Sequence, residues 1–182
     1  MRIITGCARG KKLLTLEGDD VRPTTDRVKH ALFNIIQFQI EGRVVLDLFA
    51  GSGQLGLEAV SRGARCAVLV DSAKNCIDVI LANVHHTGLK SNVHVIHMDY
   101  ETYLMRKDRM FDLAFLDPPY HKNILQKALP LTAAVMNKGG IIVCEHASEE
   151  ILPQRAGDFI QGRRYQYGKI MLTVYEHKDM VE

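Results

Sequence analysis

An α/β fold with a mostly parallel sheet is what this chain predicts, and three observations predict it. Short apolar runs suited to buried strands recur at 44–49, 67–71, 93–97, 113–117 and 141–144. Stretches with helical spacing of apolar residues separate them, and alternation of this kind implies parallel strands with helices on both faces. Carboxylates, glycines and a proline pair fall just after the runs, where open α/β sheets bind ligands.

The elements follow in order. The first 20 residues read as a small hairpin turning near Gly10, and a helix starting near Thr24 or Thr25 presents Val28, Leu32, Ile35 and Ile36 as its apolar face. Val44-Val45-Leu46-Asp47-Leu48-Phe49 is the first strand, followed by a glycine turn and a helix near 54–61. The second strand, ending at Asp71, leads to a helix over 73–86 with Ile77, Ile80, Leu81 and Val84 on one face and Gly88 as its stop. Strands at 93–97 and 113–117 alternate with helices near 100–106 and 124–135, and Asn137-Lys138-Gly139-Gly140 signals a turn before the fifth strand. Runs at 163–166 and 170–176 around Tyr167-Gly168-Lys169 predict a closing antiparallel hairpin. No linker is long enough to separate independent domains, so residues 1–40 are an extension and 41–182 the main domain.

Composition narrows the function classes. The 182 residues are 47% hydrophobic and 24% charged, ordinary for a soluble globular protein. No apolar run approaches the ~20 residues needed to cross a bilayer, and the N-terminus lacks a signal-like apolar stretch, so a cytoplasmic protein is expected. Cys7, Cys66, Cys76 and Cys144 lie far apart without metal-ligand spacing and read as reduced thiols. Net charge is only +2, yet residues 1–30 carry seven bases against four acids. That basic arm is a candidate footprint for phosphates, against the plain alternative of a solvated surface.

The first strand end reads as a cofactor loop. Asp47-Leu48-Phe49-Ala50-Gly51-Ser52-Gly53 continues to Gly56, and the second and third strands end at Asp71 and at Met98-Asp99. Gly51-x-Gly53-x-x-Gly56 also fits the dinucleotide fingerprint, alone a weak pattern. Asp47 argues against it, because a carboxylate beside the turn repels a pyrophosphate and attracts an α-amino group or sulfonium. S-adenosylmethionine carries those positive groups and no phosphate. An acid about 20 residues beyond the loop, Asp71, suits a ribose.

Asp117-Pro118-Pro119-Tyr120 after the fourth strand carries the chemistry. A nucleobase amine is a poor nucleophile because its lone pair is delocalised into the ring. The Asp117 carboxylate and the Pro118 carbonyl could accept its two N–H bonds and localise that pair. Tandem prolines restrict the backbone, so both acceptors are set before substrate arrives. Tyr120 offers a flat face for an extruded base.

Together these residues resemble the class I amino-methyltransferases, and more narrowly the bacterial 16S ribosomal RNA guanine-N2 methyltransferase family that modifies guanine 966. The resemblance runs through Arg2-Ile3-Ile4-x-Gly6, Gly10-Lys11-Lys12-Leu13, Arg22-Pro23-Thr24-Thr25-Asp26-Arg27-Val28, Leu32-Phe33-Asn34, the Asp47–Gly53 loop and Asp117-Pro118-Pro119-Tyr120. It implies a Rossmann-like class I methyltransferase fold, with a seven-stranded, mostly parallel sheet, an antiparallel C-terminal hairpin and a small N-terminal hairpin. It implies that Asp47, Phe49, Gly51 and Gly53 line the methionine end of S-adenosylmethionine, that Asp71 holds the ribose, and that Met98 and Asp99 flank the adenine. The substrate would be 16S RNA in a largely assembled small subunit, bound by a monomer without metal. Arg9, Lys11, Lys12, Arg22, Thr24 and Arg27 are the candidate RNA contacts. Lys11 stands where relatives often carry arginine, which keeps the charge and loses bidentate geometry. The rivals are an adenine-N6 methyltransferase, a nicotinamide oxidoreductase and a non-catalytic nucleic-acid-binding module. His85-His86 is read as a helix end, and Glu145-His146 as a strand end either solvated or touching substrate.

Overall fold

The computed structural model describes residues 1–16, 26–120 and 123–180. A mixed sheet of eight strands runs through the molecule in the order β3-β2-β1-β4-β5-β8-β7-β6. Its parallel part is β1 (Val44–Asp47), β2 (Cys66–Asp71), β3 (Val93–His97), β4 (Phe111–Leu116) and β5 (Met136–Ala147). Helices α1 (Asp26–Ile35), α2 (Gln54–Ser61), α3 (Lys74–Thr87), α4 (Tyr100–Arg106) and α5 (Ile124–Ala133) cover it. The closing hairpin is β7 (Phe159–Tyr167) and β8 (Ile170–His177), with Gly168 turning at φ 63°. The expected seven strands are joined by an edge piece of two residues, β6 (Arg155–Ala156).

Two cores flank the sheet. On one face Phe115, Val143 and Leu172 meet Leu32 and Phe33 of α1, Leu57 of α2 and Ile80 of α3. On the other, Leu46, Ala114 and Ile142 meet Leu104 of α4 and Leu129 of α5. Because consecutive strand residues point to opposite faces, strands covered on both sides must be apolar almost continuously. The run Leu113-Ala114-Phe115-Leu116, wholly buried, is the result.

Some sequence readings need correction. The Asn137–Gly140 turn lies inside β5, where the ladder passes from Phe111–Met136 straight to Leu113–Ile141; Gly139 at φ 73° takes up the excess chain. Leu81 is half exposed, and Cys76 and Asn83 are buried on α3 instead. Glu145 and His146 are buried rather than solvated, since β8 covers β5 along that length.

The N-terminal arm turns as expected, with Arg2 bridged to Lys12 and Gly10 N donating to Ile3 O. Its anchorage was not foreseen. The Glu58 carboxylate of α2 accepts from Ile4 N at 2.7 Å and Thr5 N at 3.0 Å. Lys29 Nζ lies 3.6 Å from that carboxylate and donates to Arg2 O at 2.7 Å. Both side chains are fully buried, so Lys29 serves the interior and adds nothing to the basic surface counted from composition. Burial lowers the Lys29 pKa, opposed by the Glu58 charge. Breaking one partner of such a pair leaves a buried charge behind, which is strongly destabilising.

Candidate active site

Strand order reverses between β1 and β4, the position at which open α/β sheets bind ligands. A cavity of about 820 Å³ opens there at the strand carboxyl ends. It is lined by Asp47, Phe49, Gly51, Asp71, Met98, Asp99, Asp117, Pro118, Pro119 and Tyr120, residues brought together from four strand ends.

The turn after β1 is held by two carboxylates. Asp71 Oδ2 accepts from Gly51 N at 2.8 Å, and its Oδ1 from Ala73 N at 2.9 Å, so the acid at the end of β2 also shapes the loop after β1. Asp47 Oδ2 accepts from Gly56 N at 2.9 Å. Asp47 is only 1% exposed, and burial pushes its carboxyl up to about 7; the Gly56 N–H pulls the other way.

Gly53 is absent from the cavity wall. It turns into α2 at φ 80°, and a Cβ there would stand 2.9 Å from Leu69 Cδ2. At Gly56 a Cβ would stand 2.6 Å from Leu69 Cδ1 and 3.3 Å from Asp47 Oδ2. These two glycines let α2 lie close against β2, while Gly51 reaches the cavity itself.

At the far side, Asp99 caps α4, its Oδ1 accepting from Thr102 N at 2.9 Å. The Thr102 side chain and backbone hold the Asp99 carboxyl below the usual range. Met98 and Asp99 thus stand at the wall beside Tyr100, whose ring meets Phe49 with centroids 5.3 Å apart. At the end of β4, Asp117 is half-buried and Pro118 buried. Tyr120 donates its hydroxyl to Glu145 Oε1 at 2.8 Å, so the ring is fixed from the neighbouring strand.

Gln54 and the N-terminal arm are contributors that sequence reasoning missed. Gln54 lines the cavity, and its Oε1 is buried with no hydrogen-bond partner among the described residues. A buried acceptor of this kind calls for a donor. Met1, Thr15 and Leu16 also line the cavity, and Met1 Sδ lies 3.8 Å from Ser52 Oγ. The arm, read from the sequence as an extension with a basic footprint for phosphates, thus also forms part of the pocket wall.

The proposed RNA contacts separate into groups. Arg9, Lys12 and Arg27 are exposed. Lys11 donates instead to His86 O at 3.3 Å and Thr87 O at 3.1 Å, the last carbonyls of α3, where a cation also meets the negative end of the helix dipole. Arg22 and Thr24 lie outside the described residues.

The wall fits S-adenosylmethionine on chemistry. Four carboxylates line it with no lysine or arginine side chain among the described residues, and the one orphaned atom is an acceptor. A pyrophosphate would meet carboxylates and no guanidinium or ammonium side chain, which disfavours the dinucleotide reading. The four cysteines are free thiols. No described helix is long and apolar enough to cross a membrane.

Comparison with known proteins agrees with this architecture. Residues 1–176 match the family described as Conserved hypothetical protein 95. The chain is 36% identical over 183 residues to the Bacillus subtilis protein YlbH, covering 98% of this chain and 100% of that one. It is 31% identical over 180 residues to Ribosomal RNA small subunit methyltransferase D of Escherichia coli strain K12, covering 98% of this chain and 90% of the relative. Among solved structures, the Escherichia coli protein yhhF superposes with a TM-score of 0.86 at 32% identity, covering 97% of each chain.

Proposed function

The chain belongs to the Conserved hypothetical protein 95 family, and on that footing we propose that it methylates ribosomal RNA of the small subunit with S-adenosylmethionine, at the exocyclic N2 amine of a guanine of the 966 type. One observation carries the reading: the Asp117-Pro118 acceptor pair opens on the same cavity as the acidic ends of β1, β2 and β3. Cofactor site and amine site are one space, as direct methyl transfer requires.

Bound S-adenosylmethionine would supply an electrophilic methyl group on a sulfonium. Asp47 and the Gln54 oxygen would receive the cationic methionine end, with Phe49 and Gly51 beside it. Asp71 would accept from the ribose, and Met98 and Asp99 would border the adenine. Asp117 and the Pro118 carbonyl would accept the two N–H bonds of the target amine, localising its lone pair toward the methyl. Pro119 stiffens the turn, and Tyr120, its hydroxyl held by Glu145, would present its ring to the base. The exposed Arg9, Lys12 and Arg27 are proposed phosphate contacts.

Mass-spectrometric nucleoside analysis of 16S RNA from a deletion strain tests the reading. N2-methylguanosine should disappear and return with the wild-type gene but not with Asp117→Ala. Loss of N6-methyladenosine instead would replace guanine by adenine as the target. An unchanged nucleoside profile would remove 16S RNA as the substrate.

A further inference from the structure

The hairpin of β7 and β8 carries a feature that the site above does not use. Its turn lies at the carboxyl end of β5, on the rim of the sheet where the cavity opens, because Ala147 pairs with Ile170 and Glu145 with Leu172. The rows continue outward, Leu172 to Tyr165 and Ile170 to Tyr167. Tyr165 therefore stands two strands from Glu145, about 10 Å at the usual strand spacing, and Glu145 is the residue that holds Tyr120. Tyr165 and Tyr167 are half-buried against the same core face as Tyr120.

Arg163, Arg164 and Lys169 are exposed on the same hairpin, Arg164 on the face opposite the rings because it pairs with Thr173, and none is ion-paired to a carboxylate among the described residues. From Arg164 to Tyr167 the strand pairs only with β8, since β6 reaches β7 only at Phe159 and Ile160. An open rim that carries three cations and two aromatic rings offers single-stranded RNA both charge for its phosphates and flat faces for its bases.

We infer that this hairpin is a second RNA contact surface, receiving the strand that flanks the target nucleotide. The inference rests on the function proposed above. Basic side chains on a bare edge also guard against strand addition, and that role alone predicts no effect on RNA binding.

The test compares Arg163→Gln/Arg164→Gln/Lys169→Gln with Lys107→Gln/Arg109→Gln/Lys138→Gln, an equal change of charge at exposed positions beside the opposite strand ends. The probe is the 16S RNA of small ribosomal subunits purified from the deletion strain, titrated as assembled subunits at several salt concentrations. The hairpin variant should lower the slope of log affinity against log salt by up to about 2, at ~0.7 per lost phosphate contact, and the control should leave it unchanged. Tyr167→Ala should weaken binding roughly 5- to 100-fold, the worth of one stacked base, with the slope kept. S-adenosylmethionine affinity should stay the same throughout. Equal slopes for wild type and hairpin variant would overturn the inference, as would an equal drop in the control. Aggregation of the hairpin variant with an unaltered slope would likewise overturn it and leave edge protection as the hairpin's role. If wild type binds the RNA but transfers no methyl group to it, the function above fails while a reduced hairpin slope still supports the contact surface.

Discussion

The two ends of the cavity are built on different principles. At the β1 end, Asp47 is sealed in protein with one backbone donor and a carboxyl pushed up to about 7 by burial. At the β4 end, Asp117 is half-buried on a turn stiffened by Pro118 and Pro119, beside a tyrosine anchored to the next strand. The first end is strained in charge and rigid in backbone; it improves when a cation arrives. The second is open, and in the proposed function it would hold acceptors and a ring in place for a large substrate. Two aspartates lining one cavity thus stand in opposite environments, one sealed in protein and one half open to solvent.

The largest effect should come from the open end. Asp117→Ala should lower turnover on the order of 10²–10³-fold, the scale of removing one fixed polar group from a developing charge, while cofactor affinity stays within a few-fold. Asp117→Asn should keep more activity, since its amide oxygen still accepts. Near-normal turnover of the alanine variant at saturating substrate would erase the proposed difference between the ends.

The buried end should answer to pH and not only to mutation. A carboxyl whose pKa is 3.8 unfolded and about 7 folded keeps its proton longer in the folded state. Its contribution to stability is therefore full below about pH 4 and is lost as pH rises toward 7. Asp47→Asn, which keeps an acceptor for Gly56 N, should stabilise the ligand-free protein by about 2–4 kcal/mol at pH 8 and by little at pH 4, in thermal melts. It should also weaken cofactor binding and flatten the rise in affinity expected for wild type between about pH 6 and 8. Melting temperatures equal to wild type at both pH values would show that Asp47 carries no burial penalty.

Asp71 should fall between these extremes. Asp71→Ala should weaken S-adenosylmethionine binding by about 1.5–3 kcal/mol, the range for a hydrogen bond to a charged group, measured by calorimetry. Because the same carboxylate fixes Gly51 and Ala73, Asp71→Asn should restore part of the loss. An unchanged dissociation constant for alanine would remove Asp71 from the cofactor site.

The smallest effect belongs to the N-terminal arm. Arg9→Gln/Lys12→Gln should reduce the salt slope of RNA binding by up to about 1.4, at ~0.7 per contact. Lys11→Gln should leave that slope alone and cost up to about 1 kcal/mol of stability, as the loss of a helix-end cation. A Lys11 variant that changes the slope as much as the pair would show that its amine leaves α3 when RNA binds.

The sequence by itself determined the parallel β–α alternation, the ends of α2 and α4, the closing hairpin, and the acids and prolines gathered at one rim of the sheet. Those features are local: periodicity, turn chemistry and strand polarity place them without knowledge of what packs against what. Only the tertiary structure decided what each group could do there. Gly53 and Gly56 look like ligand glycines until Leu69 is seen against them, and Lys11 and Lys29 look like surface cations until the end of α3 and the Glu58 carboxylate claim them. Gln54 became a cofactor candidate, and Glu145 the anchor of Tyr120, only through burial. Burial, and the partner a polar group finds on folding, depend on contacts far apart in the chain. No local pattern carries them, yet they set charge state and reach.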